Sequence, residues 1–160
     1  MAGPDLTPAE LLAVHPFVVG MEEAQLRRMG ECATGVAHFA TDQTIFHAGG
    51  IARLLYLIRS GDVALEVPAP GGGTRIVGTL HGGDALGWSW LFPPYRWHFD
   101  ARAVDEVRAI AFDGACLRGK CADDTRLGYE LMQRFAAVMI DRLQHTRFRL
   151  LDVYGGVAVG

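Results

Sequence analysis

Side chains able to do chemistry are spread thinly along this 160-residue sequence. Six histidines, His15, His38, His47, His81, His98 and His145, are the first candidates for a metal-dependent enzyme. Such sites need clustered ligands, for example a His-x-His pair with a carboxylate, and no two of these histidines are that close. They read as ordinary polar residues; no metal and no cofactor is expected. Three cysteines, Cys32, Cys116 and Cys121, cannot all pair within one chain, so buried or half-buried thiols in a reducing compartment are expected. A redox or metal role for Cys116 and Cys121, with Arg118 and Lys120 between them, is the alternative. The triple glycine Gly71-Gly72-Gly73 lacks the lysine and following helix of a phosphate cradle and reads as a hairpin tip. The remaining concentration is LGWSWLFPPYRW, Leu86 to Trp97, which holds all three tryptophans, two adjacent prolines and Arg96. Tryptophan is costly to leave in water and proline fixes a loop's path, so this segment must pack around or hold something.

Composition bounds the setting. A chain of this length is most simply one domain, and 50% hydrophobic with 21% charged residues is an ordinary globular mixture. A formal charge of −3 supplies no basic footprint for nucleic acid. No apolar run approaches the roughly 18 residues of a membrane span, and the N-terminus lacks a signal pattern, so a cytoplasmic protein without membrane association is expected.

The elements that position the tryptophan segment follow from patterning. Thr7-Pro8-Ala9-Glu10 has an N-cap, a proline at the first helical position and a glutamate at the third. A second short helix is read over Met21 to Cys32, closing the helical region 7–32. Between residues 35 and 113 short apolar or alternating runs are punctuated by glycine, the pattern of an antiparallel sandwich or jelly roll. Hairpin turns are predicted at Arg59-Ser60-Gly61-Asp62 and at Pro70 to Gly73. A long helix is expected over 124–154, with a flexible tail at 155–160. Leu127, Leu131, Phe135 and Val138 form one apolar stripe for the β unit. Met132, Ala136, Met139, Leu143, Thr146, Leu150 and Val153 repeat at spacings of four and three, a coiled-coil seam. A parallel homodimer through that seam is expected, with Arg134, Arg142, Arg147 and Arg149 on or near the solvated flanks.

This order of elements resembles the cyclic nucleotide-binding domain, as in the effector half of the catabolite activator protein and Fnr-like regulators. The resemblance runs from about His15 to Tyr154. Asp42 to Val67, DQTIFHAGGIARLLYLIRSGDVALEV, is similar to the family's first strands, with Asp42 where a glycine is usual. LHGGDALG, Leu80 to Gly87, matches the turn into the nucleotide pocket. Phe99 to Leu117 is similar to the last two strands and the short helix before the long one. The implied fold is mainly β with flanking helices: a jelly-roll β-roll, two short N-terminal helices and a long C-terminal dimerisation helix, with a small helix inside the roll.

By this resemblance, LGWSWLFPPYRW sits where the family has its phosphate-binding cassette. There a glutamate after the glycine holds the ribose and an arginine near the end pairs with the phosphate. Here Trp88 follows Gly87, and the arginine position falls on Trp97, with Arg96 one residue away. Losing a charge-assisted hydrogen bond costs about 1.5–3 kcal/mol, and indole rings in place of sugar and phosphate add a steric term. The residues of this degenerate cassette are Gly83, Gly87, Trp88, Ser89, Trp90, Arg96 and Trp97. Either the tryptophans plug the vacated pocket, or they wall an altered one in which a flat, anionic or apolar small molecule stacks on them and pairs with Arg96. The expectation is a stand-alone, non-catalytic regulatory or sensor domain that acts through a protein partner and does not take cAMP or cGMP in the usual way. A genuine cyclic nucleotide- or other small-ligand-binding domain of a truncated or partner-dependent Crp/Fnr-like transcriptional regulator is the alternative, and a metal-dependent jelly-roll enzyme the second. A helix-turn-helix would have to follow the long helix, where the sequence closes with LLDVYGGVAVG, so no direct nucleic-acid binding is expected.

Overall fold

The computed structural model describes residues 5–158, and within the last helix the side chains as far as Phe148, together with Leu151. Helix α1 spans Pro8–Ala13 and α2 spans Glu23–Gly30, with a 3-10 turn at Pro16–Val18 between them. The capping box at Thr7 forms: the Thr7 hydroxyl accepts from the Glu10 amide at 3.2 Å while the Glu10 carboxylate accepts from the Thr7 amide at 3.1 Å.

Eight strands follow: β1 Ala33–Phe39, β2 Thr44–Phe46, β3 Leu54–Ser60, β4 Val63–Pro68, β5 Thr74–Leu80, β6 Ala85–Leu86, β7 Asp100–Ala103 and β8 Val107–Asp113. They make two four-stranded antiparallel sheets, ordered β1-β8-β3-β6 and β2-β7-β4-β5. The turn at Gly61 is crowded: a Cβ there would lie 2.2 Å from the Glu106 carbonyl oxygen, and its φ is +88°.

Strand β3 explains how the layers hold together. Successive side chains face opposite ways, so Leu55 and Leu57 join the helices while Tyr56 and Ile58 join the space between the sheets. Both sets are buried. The inter-sheet core adds Val63, Leu65, Leu86, Val107 and small alanines such as Ala101 and Ala103.

Two further helices close the chain, α3 over Gly114–Asp123 and α4 over Thr125–Ala158. Helix α4 therefore runs past the expected end at Tyr154, and residues 155–158 are helical, not a flexible tail; 159–160 lie outside the described residues. Leu127, Leu131 and Phe135 are fully buried against the roll, and Val138 packs half-buried beside them.

The expectation of three thiols is corrected. Cys32 and Cys116 form a disulfide, with Cα atoms 5.5 Å apart. The fold brings them together because the Asp113 amide, at the start of α3, donates to the Cys32 carbonyl at 2.9 Å. Cys116 then lies in the first turn of that helix. Cys121 is the free cysteine, half-buried, and burial pushes its thiol up from the ordinary value, with Asp124 adding to the shift.

Candidate functional site

Gly87 follows β6 with φ +96°, and a Cβ built on it would stand 2.6 Å from Cζ3 of Trp97. The indole of Trp97 thus lies directly against the glycine backbone. That contact is with the ring edge; a ring face stacks on Phe46, centroids 3.8 Å apart and planes 7° from parallel. Main-chain bonds fix it on both sides: its amide donates to the Gly50 carbonyl at 3.0 Å and its carbonyl accepts from Gly49 at 2.8 Å. The ring is 7% exposed. Beside it remains a cavity of about 20 Å³, walled by Phe46, Leu65, Trp88, Ser89, Phe99 and Arg142 among others. That is space for about one water molecule.

The other sequence-predicted residues divide. Trp88 and Ser89 line this cavity. Trp90 does not: it is fully buried in the helical core, edge-on to Phe135 at 5.5 Å, and its Nε1 donates to the Gly87 carbonyl at 3.1 Å. Its Cβ also fills the space beside Gly114, where a glycine Cβ would come within 2.8 Å. Gly83 shapes a turn with φ +97°, its open side facing Pro16. Arg96 points away as well, donating to the Gly49 carbonyl at 3.1 Å while its strand neighbour across an isolated bridge is Ile51. Arg96 is therefore not among the residues that line the cavity.

Nor is there a helix within the roll. The segment turns instead through Leu91–Trp88 and Tyr95–Phe92 backbone bonds, around a cis Pro93–Pro94 peptide. Two prolines remove donors and disfavour helical geometry in the preceding residue. Arg118 of α3 clamps the far end, donating to the Trp90 carbonyl and lying 4.1 Å over the Tyr95 ring.

Sequence reasoning misplaced Arg142. Instead of a solvated flank it faces the roll, its guanidinium 4.6 Å over the Trp88 ring and its Nη2 3.5 Å from the Ala85 carbonyl. Burial pulls its pKa down to about 10, partly offset by the fields of Asp84 and Asp141. The signal was present: Leu127, Leu131, Phe135 and Val138 continue at a spacing of four onto Arg142, so it falls on the core-facing stripe. Phe46 and Leu65 were missed because they come from strands distant in sequence, and Phe99 because nothing local marks it as facing the same cavity as Trp97.

Along the opposite stripe of α4, Met132 is 40% and Leu143 61% exposed, Thr146 is exposed, and Ala136 and Met139 are half-buried. The side chains of Leu150 and Val153 lie outside those described. Elsewhere, an open groove of about 360 Å³ at the start of α4 is lined by Gly20, Gln25 and Tyr129 and by the exposed Glu22–Arg126 ion pair at 3.4 Å. Among the described residues no group of three or more His, Cys, Asp or Glu is placed to hold a metal ion. Among them also, no helix is long and apolar enough to cross a membrane.

Comparison with known proteins gives this geometry a context. A family model described as the cyclic nucleotide-binding domain matches residues 36–124. The CRP-like cAMP-activated global transcriptional regulator of Mycobacterium tuberculosis is 28% identical over 144 residues, 90% of this chain and 62% of the relative. The chain thus spans less than two thirds of that protein's length. A Geobacter metallireducens structure assigned to cyclic nucleotide-binding proteins superposes with a TM-score of 0.74 at 29% identity, covering 89% of this chain and 99% of that one. The catabolite activator protein of Thermus thermophilus, at 22% identity, shares the fold with a TM-score of 0.66 over 88% of this chain and 63% of its own. The two-sheet jelly roll with its flanking helices is the architecture of these proteins. With the family match covering more than half of the sequence, the chain belongs to the cyclic nucleotide-binding domain family.

Proposed function

We propose that this chain is a non-catalytic regulatory domain of the Crp/Fnr type whose cassette does not take a cyclic nucleotide in the family's usual way. One observation carries the reading. The Trp97 ring lies against Gly87 and on Phe46, in the cassette where relatives are expected to seat the cyclic phosphate, and about 20 Å³ is left beside it. Trp88, in the position of the ribose-binding glutamate, offers no acceptor. The chain works as a pair of copies joined along α4, a reading supported by the exposed Met132 and Leu143. A cytoplasmic setting is supported by kinship with a transcriptional regulator, while the Cys32–Cys116 disulfide weighs against it.

The second reading is a cAMP-responsive domain, favoured by the kinship with a regulator described as cAMP-activated. Isothermal titration with cAMP and cGMP separates the two. We expect no saturable binding tighter than a Kd of about 1 mM. A micromolar Kd for either nucleotide, lost on competition with the other, would establish the second reading.

A further inference from the structure

Arg142 is a half-buried cation without an acceptor suited to it. Its Nε is buried and has no hydrogen-bond partner, and Nη2 reaches only the Ala85 carbonyl at 3.5 Å. Two carboxylates act on it through space, but both are engaged elsewhere: Asp84 accepts from the His81 amide at 2.8 Å, and Asp141 lies beside His145 at 3.7 Å. Neither comes within ion-pairing distance of the guanidinium. By contrast Arg28, Arg102, Arg126 and Arg134 each hold a carboxylate within 3.4 Å. What covers Arg142 is the face of Trp88.

We infer that Arg142 is an anion-binding residue, and that the mouth of the cassette takes a small planar organic carboxylate on the Nε–Nη2 edge of its guanidinium. This rests on the reading that the cassette does not hold a cyclic nucleotide in the usual way. A carboxylate is the group that satisfies two parallel donors on one guanidinium edge at once. A single cation balances a single negative charge. The walls around it, Phe46, Trp88, Trp97 and Phe99, are flat and apolar, which suits an aromatic body rather than a sugar. The guanidinium keeps its proton at neutral pH even with its pKa lowered to about 10.

Entry requires movement, because the cavity is about 20 Å³. Trp88 is the side chain free to yield: it is half-buried, whereas Trp97 is held by stacking and main-chain bonds. The Arg142–Trp88 contact holds both partners in place. The carboxylate takes the guanidinium edge that the indole leaves free, and a shift of the Trp88 ring opens the space that receives the aromatic body.

The test is calorimetric titration of the full chain with benzoate and 2-naphthoate, alongside benzamide and 2-naphthamide as uncharged controls and cAMP as a separate arm. At least one carboxylate should bind at least about tenfold more tightly than its amide, the range of a charge-assisted pair. Arg142→Gln should abolish that preference, and Arg142→Lys should restore only part of it, since an ammonium lacks the paired edge. Thermal melts of both variants establish that they are folded. Equal affinity for acid and amide, undetectable binding of both carboxylates, or an unchanged preference in Arg142→Gln overturns the inference. Micromolar cAMP binding in the separate arm instead overturns the reading it rests on.

Discussion

At Gly87 the side chain that is absent matters as much as the one that fills its place. The positive φ there favours glycine, and the Trp97 ring occupies the space a methyl group would need. Gly87→Ala should therefore destabilise the chain by about 2 kcal/mol or more, from backbone strain and the clash together. Trp97→Ala removes a buried stacked ring and should cost about 3–5 kcal/mol. The two effects are coupled: in a Trp97→Ala background the clash is gone, so Gly87→Ala should cost less than in the native chain. Chemical denaturation of the two single variants and the double variant measures the coupling, and strict additivity would show that the ring does not press on the glycine. Legibility at this scale was uneven. Gly87 and Trp97 stood out in the sequence through their types and their place after LHGGDA. Phe46, which completes the stack, comes from a strand some fifty positions earlier, and nothing local marks it as the partner. Trp90 illustrates the opposite limit. It shares composition and neighbourhood with Trp88, yet only the three-dimensional position of Phe135 and Gly114 assigns it to the core.

Helix α4 was the most readable element, because periodicity reports which faces a helix must cover. Its buried stripe follows the spacing; of the expected seam Met132 and Thr146 are exposed and Leu143 is 61% exposed, while Ala136 and Met139 are half-buried, and the neighbouring Ile140, off that seam, is 56% exposed. Solvent-facing apolar residues in register on one long helix are what a second copy would bury. Leu143→Glu places a charge in that seam while touching nothing in the roll. It should shift the chain from dimer to monomer in light scattering at micromolar concentration; a monomeric native chain would remove the proposed pairing outright. The boundary of this helix was read less well, since helical dihedrals continue through Gly155 and Gly156, residues that sequence rules assign to endings. Arg142 was lost for a related reason: charge suggested solvent, and the stripe on which it lies suggested the core. The disulfide was not legible at all, because 84 residues separate its cysteines and only the docking of α3 beside the end of α2 joins them.

Across the whole molecule, one buried histidine adds a polar link to the apolar packing between the helical layer and the roll. His15 is 3% exposed; its Nδ1 accepts from the Phe17 amide at 3.1 Å and its Nε2–H donates to the Ile58 carbonyl of β3 at 2.7 Å. Only the neutral ring makes both bonds at once, because a protonated ring keeps the Ile58 bond but has no acceptor for the Phe17 amide. Burial accordingly holds the imidazole below its ordinary value of 6.5, against the Ile58 bond and the field of Asp84, with Arg59 reinforcing the shift. For a group whose folded pKa is lowered, the unfolded chain binds protons first as pH falls. The stability contributed by neutral His15 is therefore complete above about pH 6.5 and is lost as pH drops through the folded value. His81 works in the opposite sense: its bond to Asp62 raises it, so its contribution is present below 6.5 and fades as pH rises through its folded value. Glu31 and Glu66, both lowered by partners, lose theirs below the ordinary carboxylate value of 4.5. The His15 contribution is isolated by difference. Melting temperatures of the native chain and of His15→Gln, followed from pH 7.5 to 5, should converge as pH falls, because glutamine has no proton to gain. Parallel curves would mean that His15 does not couple protonation to the docking of the N-terminal layer on the roll.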